Sequence, residues 1–225
     1  MIGDALLSDL SRRFVTAAER VQVGSESIEL VKPGNFDDLV SEEDFARDDR
    51  LPYWCDVWPS SLILGAALLE RQGAGRRLVE LGCGLGLVTI CAMRAGFDVL
   101  ATDYYDDALR FTRANAWRAL AREPETRLVD WRVVPADLGA FECVVAADVL
   151  YEAVHAELVA EVLARTVADG GEALIADPGR PAVPSFIEAC AERRMLVAAQ
   201  KTHPFVAGDI RQQVTVYSIR RAPEG

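Results

Sequence analysis

The strongest constraint on this chain is a glycine-rich turn that follows an apolar run and opens an amphipathic one: Leu78-Val79-Glu80-Leu81-Gly82-Cys83-Gly84-Leu85-Gly86. A strand that enters such a turn and leaves it as a helix is a βα unit, the repeating piece of a parallel sheet. The alternation continues to the end of the chain. Short β-rich runs are expected at residues 77–81, 98–102, 127–134, 143–147, 172–176, 197–201 and 213–219. Helical patterns at 87–95, 106–119, 155–167 and 183–194 lie between most of them. The expectation is an α/β fold with a mostly parallel sheet and helices on both faces. No helix separates the last two runs, which predicts a hairpin with an antiparallel edge strand.

No Pro/Gly/Ser linker divides the 225 residues, so the sequence reads as a single domain over 1–225. Residues 77–225 form its core and 1–76 an extension that caps the open edge or mouth of the sheet. Within the extension a helix is expected over 5–21 and a strand over 27–31, stopped by Pro33-Gly34. An acidic loop follows over 35–50, then a helix over 60–71 with Ser60 as N-cap after Pro59.

Composition excludes several classes. The chain is 51% hydrophobic and 26% charged, as in soluble globular proteins. No apolar run approaches the roughly 20 residues of a membrane helix. Asp4 and Asp9 stand where a secretory signal is basic, which predicts a cytoplasmic protein. A net charge of −11 argues against nucleic acid and suits a cationic cofactor or a basic protein substrate. The five cysteines are scattered and only two histidines exist, so no metal site is expected.

The turn narrows the ligand. A dinucleotide site needs G-x-G-x-x-G, which seats pyrophosphate on the helix N-terminus. Here the third glycine, Gly86, comes one residue early and Leu87 holds the position the pattern reserves for it. Glu80, two residues before Gly82, can meet a cationic amino group. The backbone at Gly82, Cys83, Gly84 and Gly86 can pack against an amino-acid moiety. After the next strand, Asp103 can accept hydrogen bonds from both hydroxyls of a ribose, with Tyr104 near the adenine edge; Asp106 is better placed to cap the following helix. In Val134-Pro135-Ala136-Asp137-Leu138, Asp137 can accept from an adenine amino group, or it is a solvated loop carboxylate.

The order Glu80-x-Gly82-x-Gly84-x-Gly86, Asp103, Asp137 resembles the seven-strand class I S-adenosylmethionine methyltransferases. Val57-Trp58-Pro59-Ser60-Ser61, Asn115 and Ala147-Asp148-Val149-Leu150-Tyr151 narrow the resemblance. Together they look like methyltransferase family 16, protein-lysine methyltransferases with a D/E-x-x-Y/F signature. Within it the chain resembles bacterial members of the group that modifies the electron-transfer flavoprotein β-subunit. The resemblance spans roughly Pro52 to Gly179. It implies a Rossmann-like seven-stranded sheet with an antiparallel C-terminal strand, and S-adenosylmethionine as cofactor with S-adenosylhomocysteine as product. It also implies Asp148 and Tyr151 in catalysis and substrate placement, with Trp58 and its neighbours covering the cofactor. Asp177-Pro178-Gly179-Arg180 falls at the same edge and can shape the substrate mouth.

Two acceptors stay open: the lysine of a protein, favoured by Asp148-x-x-Tyr151 and the Trp58 segment, and a small-molecule amine such as a nicotinamide-like pyridine. A non-catalytic binding module and a nucleotide-dependent oxidoreductase are the other classes. The glycine spacing and the lack of a second substrate domain disfavour the oxidoreductase. The sequence does not fix the oligomeric state.

Overall fold

A computed structural model describes residues 2–35, 39 and 52–223. The chain opens with helix α1 (Ile2–Arg13), strands β1 (Thr16–Val23) and β2 (Glu26–Pro33), and helix α2 (Pro59–Leu69). The alternating part follows: β3 (Arg77–Leu81), α3 (Leu87–Arg94), β4 (Asp98–Asp103), α4 (Asp106–Leu120), β5 (Glu125–Leu128) and β6 (Phe141–Ala147). It ends with α5 (His155–Thr166), β7 (Val167–Asp177), α6 (Val183–Glu192), β8 (Met195–Ala207) and β9 (Ile210–Arg221).

Seven strands make one sheet in the order β5-β4-β3-β6-β7-β9-β8. The first five are parallel, and β9 runs antiparallel to both its neighbours. This is the expected Rossmann-like architecture with one adjustment. The antiparallel strand β9 is inserted second from the end, and the edge strand is β8. Successive strand residues point to opposite faces. Leu78, Cys143, Val145 and Leu174 pack with α2, α3 and α4 on one face, and the β1–β2 hairpin joins that layer. Val79, Val144, Ala146 and Ile175 pack with α5 and α6 on the other. Burial on both faces is why these strands read as nearly continuous apolar runs.

Chain order reverses between β3 and β6, which are neighbours in the sheet. The loops that leave their carboxyl ends diverge, and such a crevice is where open α/β sheets take ligands. Both the glycine turn and Asp148 leave from these two ends.

The structure corrects several expectations. The helix expected over 5–21 stops at Arg13, and Thr16–Val23 pairs antiparallel with Glu26–Pro33. Val21 and Val23 alternate inward there, and Gly24-Ser25 closes the hairpin between the paired Val23 and Glu26. Ser60 is no cap: Trp58 precedes α2 and Pro59 takes its first position, where a missing N–H costs nothing. Asp106 is likewise the first residue of α4 rather than its cap, and pairs with Arg110 one turn on. The strand expected over 127–134 is Glu125–Leu128, followed by a short 3-10 turn at Trp131–Val133. Apart from Asn35 and Leu39, the acidic loop expected over 35–50 lies outside the described residues. All five cysteines are buried and free.

Candidate active site

A cavity of about 530 Å³ lies over the carboxyl ends of β3, β4 and β6. Its floor is the glycine turn. Gly84 has φ 52°, and a Cβ there would stand 2.9 Å from the carbonyl oxygen of Trp54. Gly86 begins α3 at φ 83°, with space for a Cβ closed by Thr112 at 2.9 Å. Left-handed backbone and close approach both demand glycine at these two positions. Helix α4 holds the turn from beneath. Thr112 Oγ1 donates to Gly84 O at 2.9 Å, and Asn115 Nδ2 donates to Leu85 O at 2.9 Å. Asn115 also accepts from Val31 N at 2.7 Å, so one buried amide ties the N-terminal hairpin to the turn.

Two buried carboxyl groups border the floor. Glu80 is 2% exposed and takes a hydrogen bond from the Thr89 hydroxyl. Burial pushes it up to about 8, against the pull of Thr89, and the neighbouring Asp103 adds to the rise. Asp103 ends β4 and accepts from Gly84 N at 2.9 Å and Tyr105 N at 3.0 Å. Burial raises it to about 6, and the backbone N–H groups hold it back from going higher. Asp103 therefore shapes the turn while facing the space above it.

The walls are aromatic. Trp58 and Tyr53 meet edge to face at 6.0 Å, and Tyr53 meets Tyr151 at 5.3 Å. The Trp58 ring N–H donates to Tyr53 O at 2.9 Å, fixing this segment as a lid over one side. His155 stands between Tyr151 and Trp131, with ring centroids at 4.7 and 5.4 Å, and its Nδ1 lies 2.8 Å from Val149 O.

Just beyond the end of β6, Asp148 has φ 60° and a side chain only 3% exposed. Its Oδ1 accepts from Arg180 Nε at 2.8 Å and sits 2.7 Å from Arg180 Nη2. Its Oδ2 accepts from Ser60 Oγ at 3.2 Å. The Ser60 hydroxyl thus serves the site rather than the helix end.

Of the residues singled out in the sequence, Trp58, Glu80, Gly82, Cys83, Gly84, Asp103, Tyr104, Ala147, Asp148 and Tyr151 border this one cavity. Gly86 stands just behind it, shaping the turn. Asp137 and Leu138 are not brought to it. The Asp137 side chain is 80% exposed and paired with Arg127 at 2.6 Å, and that guanidinium holds its carboxyl below the usual range. Leu138 is buried in the core among residues of the opposite sheet face. The acid that reaches the cavity after β5 is Asp130, whose side chain also accepts from Arg132 N at 2.9 Å. It follows β5 by two residues, as expected for a site acid. The overlong strand concealed it. His155 and Arg180 also border the cavity. Only Arg180 had been marked, as part of the mouth.

The donor set fits a cationic ligand without phosphate. Glu80, Asp103, Asp130 and Asp148 all face the space, and Glu80 and Asp103 flank the turn on which a pyrophosphate would have to lie. Asp130 and Asp148 are already paired with Arg132 and Arg180, so Glu80 and Asp103 are the acceptors left for a cationic group, and a phosphate on the turn would meet the Asp103 carboxylate. At Gly84 the bare backbone lets the turn pass close beneath the carbonyl of Trp54, which holds the aromatic segment against the floor.

A family model described as lysine methyltransferase matches residues 49–189. Over 136 residues the chain is 31% identical to the electron transfer flavoprotein beta subunit lysine methyltransferase of Xenopus laevis, covering 57% of this chain and 53% of that protein. The protein of the same name from Danio rerio is 31% identical over 134 residues, covering 57% and 51%. The matched stretch spans about half the length of these curated relatives. Among solved structures, a ribosomal protein L11 methylase from Lactobacillus delbrueckii subsp. bulgaricus superposes with a TM-score of 0.58 at 20% identity, over 75% of this chain and 81% of that one. A magnesium protoporphyrin IX methyltransferase from Synechocystis PCC 6803, with bound SAM, gives 0.57 at 18% identity over 72% and 78%. At these identities the structural likeness is one of fold.

Proposed function

This chain belongs to the lysine methyltransferase family, and from that premise we propose that it transfers a methyl group from S-adenosylmethionine to the side-chain amine of a lysine in another protein. The observation that carries the reading is the convergence of Glu80, the glycine cradle, Asp103 and Asp148 on one cavity. The names of the curated relatives support a protein acceptor. The cofactor of the Synechocystis neighbour supports S-adenosylmethionine.

When bound, S-adenosylmethionine supplies a sulfonium-activated methyl carbon, whose bond electrons return to sulfur as the amine lone pair forms the new C–N bond. The chain's residues bind and orient. Glu80 would meet the ammonium of the methionine part, Asp103 would accept from the ribose hydroxyls, and Asp130 would accept from the adenine amino group. Tyr53, Trp58 and Tyr151 form an aromatic throat at the cavity. A throat of that kind suits the aliphatic stem of a lysine and keeps bulk water from the reacting atoms. Holding two reactants in line is worth several powers of ten in rate.

The raised Glu80 carboxyl has a measurable consequence. At pH 7 it holds its proton in the ligand-free chain, being pushed up to about 8. A cationic ligand favours the ionised form, so binding expels that proton. Calorimetry of S-adenosylhomocysteine at pH 7, in two buffers of different ionisation enthalpy, is expected to report release of close to one proton. No release would show that Glu80 does not meet the ligand's ammonium. In the ligand-free chain the sign for folding is opposite. Because the folded value is raised from 4.5 to about 8, Glu80 contributes stability at low pH, and that contribution is lost as pH rises through this window.

The acceptor class is tested with methyl-labelled S-adenosylmethionine and a lysate of the host, separated into proteins and small molecules. Label in the protein fraction is expected. Label confined to the small-molecule fraction would replace the lysine with a free amine.

A further inference from the structure

The cation that Arg180 places on Asp148 decides what Asp148 can do for an incoming amine. The side chains come from three separate places in the fold. Asp148 leaves the end of β6, Ser60 lies in the first turn of α2, and Arg180 leaves the turn after β7. That turn is set by Asp177, whose Oδ1 accepts from the backbone N–H groups of Gly179 and Arg180, both at 2.7 Å. Arg180 is then steadied over the Trp58 ring, 5.9 Å from its centroid. Its side chain is one-third exposed at the cavity, whereas that of Asp148 is 3% exposed.

An ionised carboxylate has about four acceptor sites. Three contacts occupy Asp148: Nε and Nη2 of Arg180 on Oδ1, and the Ser60 hydroxyl on Oδ2. About one site remains, on Oδ2. The charge is already balanced by the guanidinium. Such a carboxylate can accept one N–H from an amine and aim its lone pair, but it offers an ammonium little extra attraction.

We infer that Arg180 is a positioning residue that neutralises Asp148, so that the acceptor lysine is held at the site as the neutral, nucleophilic amine. The inference rests on the lysine reading above. A free lysine holds its proton to about pH 10.4, and that proton must pass to solvent water before the nitrogen lone pair can form a bond to carbon. An unpaired, buried Asp148 would hold the proton on the amine. Arg180 removes that trap, and its own positive charge at the cavity favours the neutral amine further. Other ionisable groups border the same cavity. Glu152 and His155 come from the approach to α5, Tyr53 and Asp56 from the aromatic segment, and Tyr151 from beside Asp148. Asp177 lies behind Asp148 at the end of β7. Of these groups Asp177 also feels the Arg180 charge, which lowers its carboxyl, so return of the midpoint in a variant that also lacks the Asp148 charge ties the shift to the ion pair.

The test is the pH–rate profile for label transfer to the lysate protein fraction at saturating S-adenosylmethionine. Arg180→Gln is expected to move the alkaline-rising midpoint up by about one pH unit, so that rate falls about tenfold near pH 7 and recovers above pH 9. Arg180→Lys keeps the charge but neither the two-nitrogen contact nor the stacking on Trp58, so its midpoint is expected to fall between those of wild type and Arg180→Gln. The double variant Arg180→Gln/Asp148→Asn removes both charges and should return the midpoint, at a lower absolute rate. S-adenosylhomocysteine affinity, measured in parallel, is expected to stay near the wild-type value in the Arg180 variants. Wild-type transfer with the same midpoint in Arg180→Gln would overturn the inference and leave the lysine reading standing. Absence of protein labelling by the wild-type chain would overturn both.

Discussion

Asp103→Ala is expected to lower the affinity for S-adenosylhomocysteine by at least about a hundredfold. The carboxylate does two things at once. It accepts from Gly84 N and Tyr105 N, which holds the glycine turn in its left-handed path. It also faces the cavity, where two ribose hydroxyls would donate to it. Hydrogen bonds to a charged group are each worth about 1.5–3 kcal/mol, so losing a ribose pair alone costs about two powers of ten. The freed Gly84 N–H adds to the loss. The sheet should survive, since Asp103 is at the end of β4 and the strand's pairing with β3 and β5 is made by backbone. Calorimetry with S-adenosylhomocysteine, beside a thermal melt, makes the measurement. Affinity within about threefold of wild type would remove Asp103 from the ligand site.

Asp148→Ala is expected to show the opposite division: cofactor affinity near wild type, and turnover reduced by about two to three powers of ten. The hydrogen bonds of its side chain go to Ser60 and Arg180 rather than to the glycine turn. Its removal frees Arg180, leaves Ser60 without its acceptor, and erases the site that aims the amine. Misplacement of a reactant by about 1 Å can cost a hundredfold in rate. A loss confined to turnover marks an interaction felt at the transition state rather than in uniform binding. Because Asp148 has φ 60°, alanine also adds backbone strain. Asp148→Asn tolerates that conformation and should still lose most of the rate. Turnover within about tenfold of wild type in both variants would take Asp148 out of the mechanism.

How far the sequence could be read follows from where the information lies. That the turn from Glu80 to Gly84 and Asp103 border the cavity was legible because local chain geometry sets their place, while Asp148 was singled out by the family resemblance. A left-handed turn wants glycine, and the end of a parallel strand faces the ligand crevice. The strands in the middle of the sheet were legible for a related reason, since burial on both faces makes them continuously apolar. β5 was not, because it is a four-residue edge strand with no fully buried residue. Extending it to Val134 hid Asp130 inside the strand and promoted Asp137, which the structure places at the surface with Arg127. The N-terminal hairpin was missed because helical spacing was continued past Arg13 to Val21, through the strand Thr16–Val23, and Gly24-Ser25 was not read as its turn. His155 carries no motif, and Ser60, though part of Val57-Trp58-Pro59-Ser60-Ser61, gives no sign there of its partner. Ser60 meets Asp148 across 88 residues, a relation only the folded chain displays.

The most direct test of the central claim is tandem mass spectrometry of the host proteins after incubation with this chain and S-adenosylmethionine, with the Asp148→Ala variant as control. A methyl group is expected on the Nζ of a lysine in a specific protein, gained with the wild-type chain and absent with the variant. Methylation found only at another atom, or at equal levels with both chains, would contradict that claim.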